Sequence, residues 1–528
     1  MATVRECSFE LLRSLGMTTV FGNPGSNELP FLDGLPAGFR YVEGLQEAAV
    51  LGMADGYAQV TGRATLVNLH ASAGLGNAQG MLVNARTAGS PLVLTSGQQV
   101  RAALPVEPLL TIVDATVQPR PLVKGSWEPA RPQDVPAALA RAARLAVLPR
   151  SGPTFVSVPL DDWAARADDA EAVRLLGGRT IATRSAADPE ALARLAERLA
   201  QARNPVLVVG EDTDACGGFD LAVRLAERRA LPVWHAPSPY RCAFPTRHPA
   251  FRGLLTPGQA PLARQLDGHD LVLVVGAPVF RYHPYLPGPV VPDGAQLVLV
   301  TADTDAIARA PVGDAVLGDP ALVLRRLLDM LPQADRPAPE RRAAPEPARG
   351  PGLGPEVIAD IVARVMPDDT TVVWECPVIE AALWQRMPVT RPAQWFGPGG
   401  GGLGFGMSAA VGVQLARPGA PVLAVVGDGS AQYTLPALWT AAQLNLPVTW
   451  LIVNNGAYAV LKDFGRLLNT PGSPGLDLPG IDHVALAAGY GVRAERATDA
   501  TALTDLLHSA LRSPDPVLVD APFNHRGR

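Results

Sequence analysis

The chain has 528 residues, 48% of them apolar and 18% charged, with a formal net charge of −5 at pH 7. That length implies about three domains with large buried cores and excludes a disordered chain, and the balance of charge leaves no basic footprint for nucleic acid. The four cysteines, Cys7, Cys216, Cys242 and Cys376, lie far apart with no CxxC pair, which excludes a disulfide framework or zinc ribbon and suits a reducing cytoplasm.

In chain order, the opening MATVRECSFELLRSLG carries Arg and Glu and lacks the apolar stretch of a secretory signal. Short, nearly uninterrupted apolar runs at 18–21, 65–69, 92–96, 154–158, 206–210, 271–276, 297–301, 371–374, 422–427, 449–454 and 517–520 read as buried parallel strands. None is long enough to span a bilayer. Between them lie helical patterns, at 190–201 and 435–444 and in an amphipathic stretch at 45–62. The run 332–351, PQADRPAPERRAAPEPARGP, reads as an extended linker, and composition also shifts at 165–183. This predicts an α/β chain of three doubly wound parallel-sheet domains at 1–180, 181–340 and 341–528.

In such sheets ligands bind outside the carboxyl ends of the strands, so the polar residues just past the apolar runs are the candidates. Residues 22–28 (GNPGSNE) follow the first run, His70 the second and His283 a later one. Asp428, in GDGS, and Asn455, in NNG, end two strands separated by one helix. Each motif alone is a turn. Together they place a carboxylate and an amide oxygen where Mg²⁺ or Ca²⁺ takes hard ligands. Gly427, Gly429 and Ser430 let a diphosphate approach the next helix start. Glu47, near the start of the 45–62 helix, reads on its own as a solvated or capping carboxylate. The run 397–412, GPGGGGLGFGMSAAVG, contains GxGxxG strings. A nicotinamide-dinucleotide reading of it needs an acidic ribose ligand, and the only one at a suitable distance, Asp428, belongs to GDGS.

GDGS followed by NN, with Glu47 in LQEAAVLGMADGYAQVTG and the Gly-rich loop, resembles the thiamine-diphosphate-dependent decarboxylase and acetohydroxyacid synthase superfamily over essentially the whole chain. The resemblance implies a pyrimidine-binding, a middle and a diphosphate-binding domain, in that order. It implies thiamine diphosphate and Mg²⁺ (or Ca²⁺) as cofactors. The metal would be held by Asp428, Asn455 and the main-chain oxygen of Ala457, and the cofactor contacted by Gly401, Leu403, Gly427, Gly429, Ser430 and Tyr458. Glu47 would protonate N1′ of the aminopyrimidine, and Leu403 would wedge the cofactor in its bent conformation. In that family the Glu and the Asp reach one cofactor from different subunits. This implies a homo-oligomer, at least a dimer and commonly a tetramer, in the cytoplasm, with no nucleic-acid or membrane partner.

Within the superfamily, FGNPGSNELPFL, TLVNLH, PLVKGSWEPA, CAFPTRHPAFRG and GAPVFRYHPY resemble the branch that converts benzoylformate to benzaldehyde and CO₂ in mandelate and aromatic catabolism. On that resemblance Ser26 binds the substrate carboxylate, His70 assists formation and protonation of the covalent intermediates, and His283 serves in protonation and product release. Leu109, Leu110, Gly397, Val460, Leu461 and Phe464 would line an apolar pocket for the aryl group of a small 2-oxo acid. Read without the resemblance, each His is a structural residue and Leu109, Leu110, Leu461 and Phe464 are core. The chain has no HH dipeptide, unlike pyruvate and indolepyruvate decarboxylases, and no flavin pattern. Three positions depart from the branch. Cys376-Pro377-Val378 stands where hydroxyls help to hold the diphosphate, Gly397 replaces an aromatic residue and should widen the pocket, and Val460 replaces an Ala and should narrow it. The alternatives are a decarboxylase of another, branched aliphatic 2-oxo acid, a carboligase, an NAD-dependent oxidoreductase and a catalytically silent scaffold.

Overall fold

The apolar runs become the central strands of three parallel sheets. The structure, a computed structural model, describes residues 2–168, 170–348 and 352–523. The first sheet comprises β1 (Thr19–Gly22), β2 (Arg40–Glu43), β3 (Thr65–Leu69), β4 (Leu92–Gln98), β5 (Ser126–Trp127) and β6 (Thr154–Pro159), in the order β2-β1-β3-β4-β6-β5. The second comprises β7 (Pro205–Val209), β8 (Val233–His235), β9 (Phe251–Leu254), β10 (Leu271–Val275), β11 (Gln296–Thr301) and β12 (Asp314–Leu317), in the order β12-β11-β10-β7-β8-β9. The third comprises β13 (Thr371–Glu375), β14 (Trp395–Phe396), β15 (Val422–Gly427), β16 (Val448–Asn454), β17 (Arg493–Arg496) and β18 (Val517–Pro522), in the order β14-β13-β15-β16-β18-β17. Every expected run is a strand, and β3, β4, β6, β7, β10 and β18 are buried along all or nearly all of their length. The fold class is the expected one.

The edge strands β2, β12 and β17 have mixed or polar sequences, because only one side of each is covered. The linker holds no helix or strand over its described part, and it is tied down by its own arginines. Arg336 donates to the carbonyls of Ala202 and Arg203, and Arg342 to that of Arg252. Its last residues, 349–351, lie outside the described residues.

One expectation is corrected. The 45–62 stretch is a helix, Glu47–Thr61, but it is buried nearly all round rather than amphipathic. It packs against the helix Phe405–Ala416, which follows the Gly-rich loop and is buried over most of its length. Small residues let the two backbones meet. A Cβ on Gly56 would fall on the Ala409 carbonyl, and one on Gly412 on the Met53 carbonyl. The first and third sheets are thus locked together by two helices without a polar face.

A single buried ion pair then joins all three units. Arg241 bonds Asp214 at 2.8 Å and donates to the Gln59 carbonyl at 3.0 Å, with its guanidinium 4.8 Å from the Phe396 ring centre. Asp214 accepts the Ala393 N–H at 2.9 Å. Among the described residues no helix is long and apolar enough to cross a membrane, and all four cysteines are free thiols.

Candidate active site

Two groups of side chains form at strand ends. The first lies on the first sheet. His70 ends β3 and sits before the helix Ala71–Asn77, so the glycine-rich stretch after it is helical. Its Nδ1 bonds Glu28 Oε2 at 2.7 Å, and the Glu28 side chain is fully buried. Glu28 also accepts the backbone N–H groups of Ala71 at 3.1 Å and Gly97 at 2.7 Å. Ala71 is held at φ +43° beside the histidine. Gly25 of the GNPGSNE run leaves room for this arrangement, since a Cβ there would overlap the imidazole. With Nδ1–H donated to Glu28, His70 Nε2 has no partner among the described residues.

Glu47 is 6% exposed. Gln46, not Glu47, caps the helix, by accepting the Ala49 N–H. The Glu47 carboxylate instead accepts the side-chain amides of Asn23 at 3.1 Å and Asn77 at 3.0 Å. Gly74 lies against it, where a Cβ would come within 3.0 Å of Oε1. Ser26 is exposed on the same loop, and its neighbour Asn27 reaches the Leu110 carbonyl at 3.4 Å. Leu109 is 86% exposed and Leu110 half-buried, so neither belongs to the core.

The second group lies on the third sheet. Asp428 begins the short helix Asp428–Ala431 directly after β15, and Asn455 follows β16, the adjacent strand. The two converge on one donor. The Ala457 N–H faces Asp428 Oδ2 at 3.2 Å and Asn455 Oδ1 at 3.0 Å. Burial raises the Asp428 carboxyl above its ordinary range, against backbone N–H donors and His483, which act to lower it. The turn is braced from behind by Asn454, which accepts the Gly456 N–H and donates to the buried Asp520. Tyr458 pairs with Tyr433, and its ring closes on Gly429, where a Cβ would lie 2.5 Å from Cε1. The surroundings of Gly427 are open by comparison, with no atom closer than 3.8 Å to an added Cβ. Ser430 is buried beside it.

The Gly-rich loop is held by one residue from each of the two units. Asn84 accepts the N–H groups of Gly400 and Gly402, both at 3.0 Å, and donates to the Gly402 carbonyl at 2.7 Å. Glu375, at the end of β13, accepts the N–H groups of Gly404 at 2.8 Å and Gly406 at 2.7 Å. Burial pushes its carboxyl up to about 8 despite these donors. Half-buried Leu403 and exposed Gly401 are therefore presented by a loop fixed at both ends. Cys376 is buried, its thiol raised by burial, and Pro377 opens a short 3₁₀ turn at a point where it offers neither hydroxyl nor N–H.

His283, exposed on its loop, packs on Phe464 with ring centres 4.8 Å apart and planes tilted by 35°. Phe464 and Val460 are half-buried and Leu461 is 48% exposed, so the helix Ala459–Leu467 is not core packing either. Gly397 does not open space as expected. It is buried beside Trp374, whose indole occupies the volume a side chain there would need.

No hydrogen bond or ion pair among the described residues joins the Glu47–His70 group to the Asp428–Asn455 group. Sequence reasoning passes over Glu28, Asn23, Asn77, Asn84 and Glu375. Only Glu28 leaves a signal, as the acidic residue closing the GNPGSNE run.

Three buried-sheet units with this pairing of strand ends match three models of one family. The thiamine pyrophosphate enzyme N-terminal TPP binding domain matches residues 2–116, the central domain 192–327 and the C-terminal TPP binding domain 379–521. The chain belongs to the thiamine pyrophosphate enzyme family. Within it, the chain is 50% identical over 526 residues to a benzoylformate decarboxylase of Pseudomonas aeruginosa, with 99% of each chain covered. It is similar to the solved thiamine diphosphate-dependent 4-hydroxybenzoylformate decarboxylase of Rhodococcus jostii RHA1, with TM-score 0.97, 49% identity and all of both chains covered. A benzoylformate decarboxylase structure from Polynucleobacter necessarius gives TM-score 0.96 at 38% identity, with 99% of each chain covered.

Proposed function

We infer that this chain catalyses the thiamine-diphosphate-dependent, non-oxidative decarboxylation of an aromatic 2-oxo acid, benzoylformate to benzaldehyde and CO₂. The observation that carries this reading is the His70–Glu28 pair beside the buried Glu47, two proton-handling groups at one set of strand ends.

The residues fit the cofactor. Asp428, Asn455 and the Ala457 carbonyl make a three-oxygen donor set with a single carboxylate. Among the described residues no cluster of His, Cys, Asp and Glu could hold a metal without further ligands. A divalent ion held by these three would take its remaining oxygens from a diphosphate, as Mg²⁺ commonly does. Ca²⁺ suits the same donors. Gly427, Gly429 and Ser430 would supply backbone N–H groups and space to the diphosphate, Gly401 and Tyr458 would flank the cofactor, and Leu403 would support its rings. Glu47, oriented by Asn23 and Asn77, holds a proton at the aminopyrimidine. Bound thiamine diphosphate supplies the carbon nucleophile and electron sink that a 2-oxo acid needs to lose CO₂.

The remaining groups belong to the substrate. The Ser26 hydroxyl donates to its carboxylate. His70 exchanges a proton through Nε2, because Glu28 occupies Nδ1. His283 serves as the second proton carrier, backed by Phe464. Leu109, Leu110, Val460, Leu461 and Phe464 cover the aryl ring.

The half-exposed Leu461 and the exposed Leu109 suit closure by another copy of the chain. In this reading Glu47 of one subunit and Asp428 of its partner complete each site, in a homodimer or a dimer of dimers with the domain limits given above. Four free thiols suit a cytoplasmic setting.

The test is to incubate metal-stripped protein with benzoylformate, with and without thiamine diphosphate and Mg²⁺, and to measure benzaldehyde and CO₂. Cofactor-dependent benzaldehyde supports the reading. Turnover only of a different 2-oxo acid keeps the chemistry and overturns the substrate.

A further inference from the structure

The register of β13 and β14 pairs Val372 with Trp395 and Val373 with Phe396. The next residues along, Trp374 and Gly397, therefore lie side by side at the carboxyl end of the sheet. Gly397 is not among the glycines with positive φ, so its backbone does not demand glycine. Space does. A Cβ added there would lie 2.7 Å from Cε2 and 3.0 Å from Cδ1 of the Trp374 indole. The aromatic bulk that the resemblance places at 397 stands one strand over, at 374.

The indole also carries an unused donor. Trp374 is 6% exposed, and its Nε1–H has no acceptor among the described residues. Buried N–H groups are nearly always bonded, so this donor is open to an acceptor from outside the chain, a water or a ligand atom. Trp384 and Trp395 share this lack, and the three indoles belong to one buried cluster, with the Trp395 ring centre 5.4 Å from that of Trp384 and 6.0 Å from that of Trp374. Of the three, Trp374 is the one whose pyrrole edge faces position 397.

We propose that Trp374 is a specificity-determining residue: its indole forms the wall of the aryl pocket that Gly397 leaves unbuilt, and its N–H donates to an oxygen substituent on the substrate ring. The inference rests on the reading of the chain as an aryl 2-oxo acid decarboxylase. A bare phenyl ring offers this donor nothing, whereas a ring hydroxyl accepts from it. A site built to bond a substrate's polar group discriminates against the analogue lacking it far more sharply than an apolar pocket discriminates by size.

The experiment compares kcat/KM for 4-hydroxybenzoylformate and benzoylformate in holoenzyme carrying wild-type, Trp374→Phe or Gly397→Ala chains. The ratio is taken within each enzyme, so general damage cancels. Binding of unreactive 4-hydroxyphenylacetate and phenylacetate, followed by calorimetry, gives the same ratio without turnover. The wild type is expected to favour the hydroxylated ring by about tenfold or more, and Trp374→Phe to lose most of that preference. Gly397→Ala, which displaces the indole, moves the ratio the same way and serves if the Phe variant does not fold. Active enzymes with unchanged ratios overturn the proposal and leave the decarboxylase reading intact. A wild-type holoenzyme that turns over neither acid overturns both.

Discussion

The first and third sheets have one strand order and two chemistries. Position for position, β2-β1-β3-β4-β6-β5 corresponds to β14-β13-β15-β16-β18-β17. Their third strands, β3 and β15, both end where a helix starts, and there one sheet carries His70 and the other Asp428. Their first strands are each followed or ended by a buried carboxylate that accepts two backbone N–H groups, Glu28 in one and Glu375 in the other. The shared topology fixes where a functional residue can stand, and the residue type then decides the work. A histidine braced by a carboxylate handles protons. A carboxylate beside an amide oxygen holds a hard cation.

The sharpest way to break this division is at Glu47. Glu47→Gln should lower kcat by roughly 10²–10⁴-fold with the melting temperature and cofactor affinity nearly unchanged, as read by steady-state kinetics and calorimetry. Loss of cofactor affinity alone would assign the first sheet to binding instead. Arg241→Ala tests the tie that keeps the units in place. It leaves Asp214 buried without its partner, and stability should fall by about 3–5 kcal/mol in denaturant unfolding.

Glu28→Gln frees the tautomer of His70. A fall of about a hundredfold in kcat is expected, together with a changed pH–rate profile, while a purely structural role would leave the profile alone. Asp428→Asn should mainly raise the Mg²⁺ and thiamine diphosphate concentrations needed for half-activity, by about tenfold. Equal losses of kcat in the Glu47 and Asp428 variants at saturating cofactor would erase the contrast between the sheets.

The last comparison is of stability against pH. Burial raises Asp55 in the first unit from 3.8 to about 6, and Glu375 in the third from 4.5 to about 8. A carboxyl raised by folding contributes stability that is complete below its unfolded value and is lost as pH rises through its folded one. Between pH 6 and 8 only the Glu375 contribution of the two still declines. Glu375→Gln should therefore flatten the melting temperature across that window, and Asp55→Asn only below it.

Much of this was legible in the sequence because buried parallel strands need continuous apolar runs, and every such run became a strand. The convergence of Asp428 and Asn455 was legible because the apolar runs before them become adjacent strands. Edge strands such as β14 and β17 were not, since two residues or a RAER sequence carry no periodicity. Nor was the Glu28 role, which depends on burial that no local pattern announces. The 45–62 helix misled for the same reason. Its scattered polar residues suggest a wet face, but Asp55 and Gln59 bond each other in the interior. The space at position 397 was not legible either, since it depends on Trp374, a neighbour on the adjacent strand that no local pattern announces.

The proposed sharing of Glu47 and Asp428 between subunits has a consequence for mixtures. Under the proposed sharing, each variant spoils every site when assembled with itself. A mixed dimer of Glu47→Gln and Asp428→Ala chains concentrates both lesions in one site and leaves the other intact. Co-expression of two inactive proteins should then restore activity by complementation, and a cell carrying one variant copy should lose less than all of its enzyme.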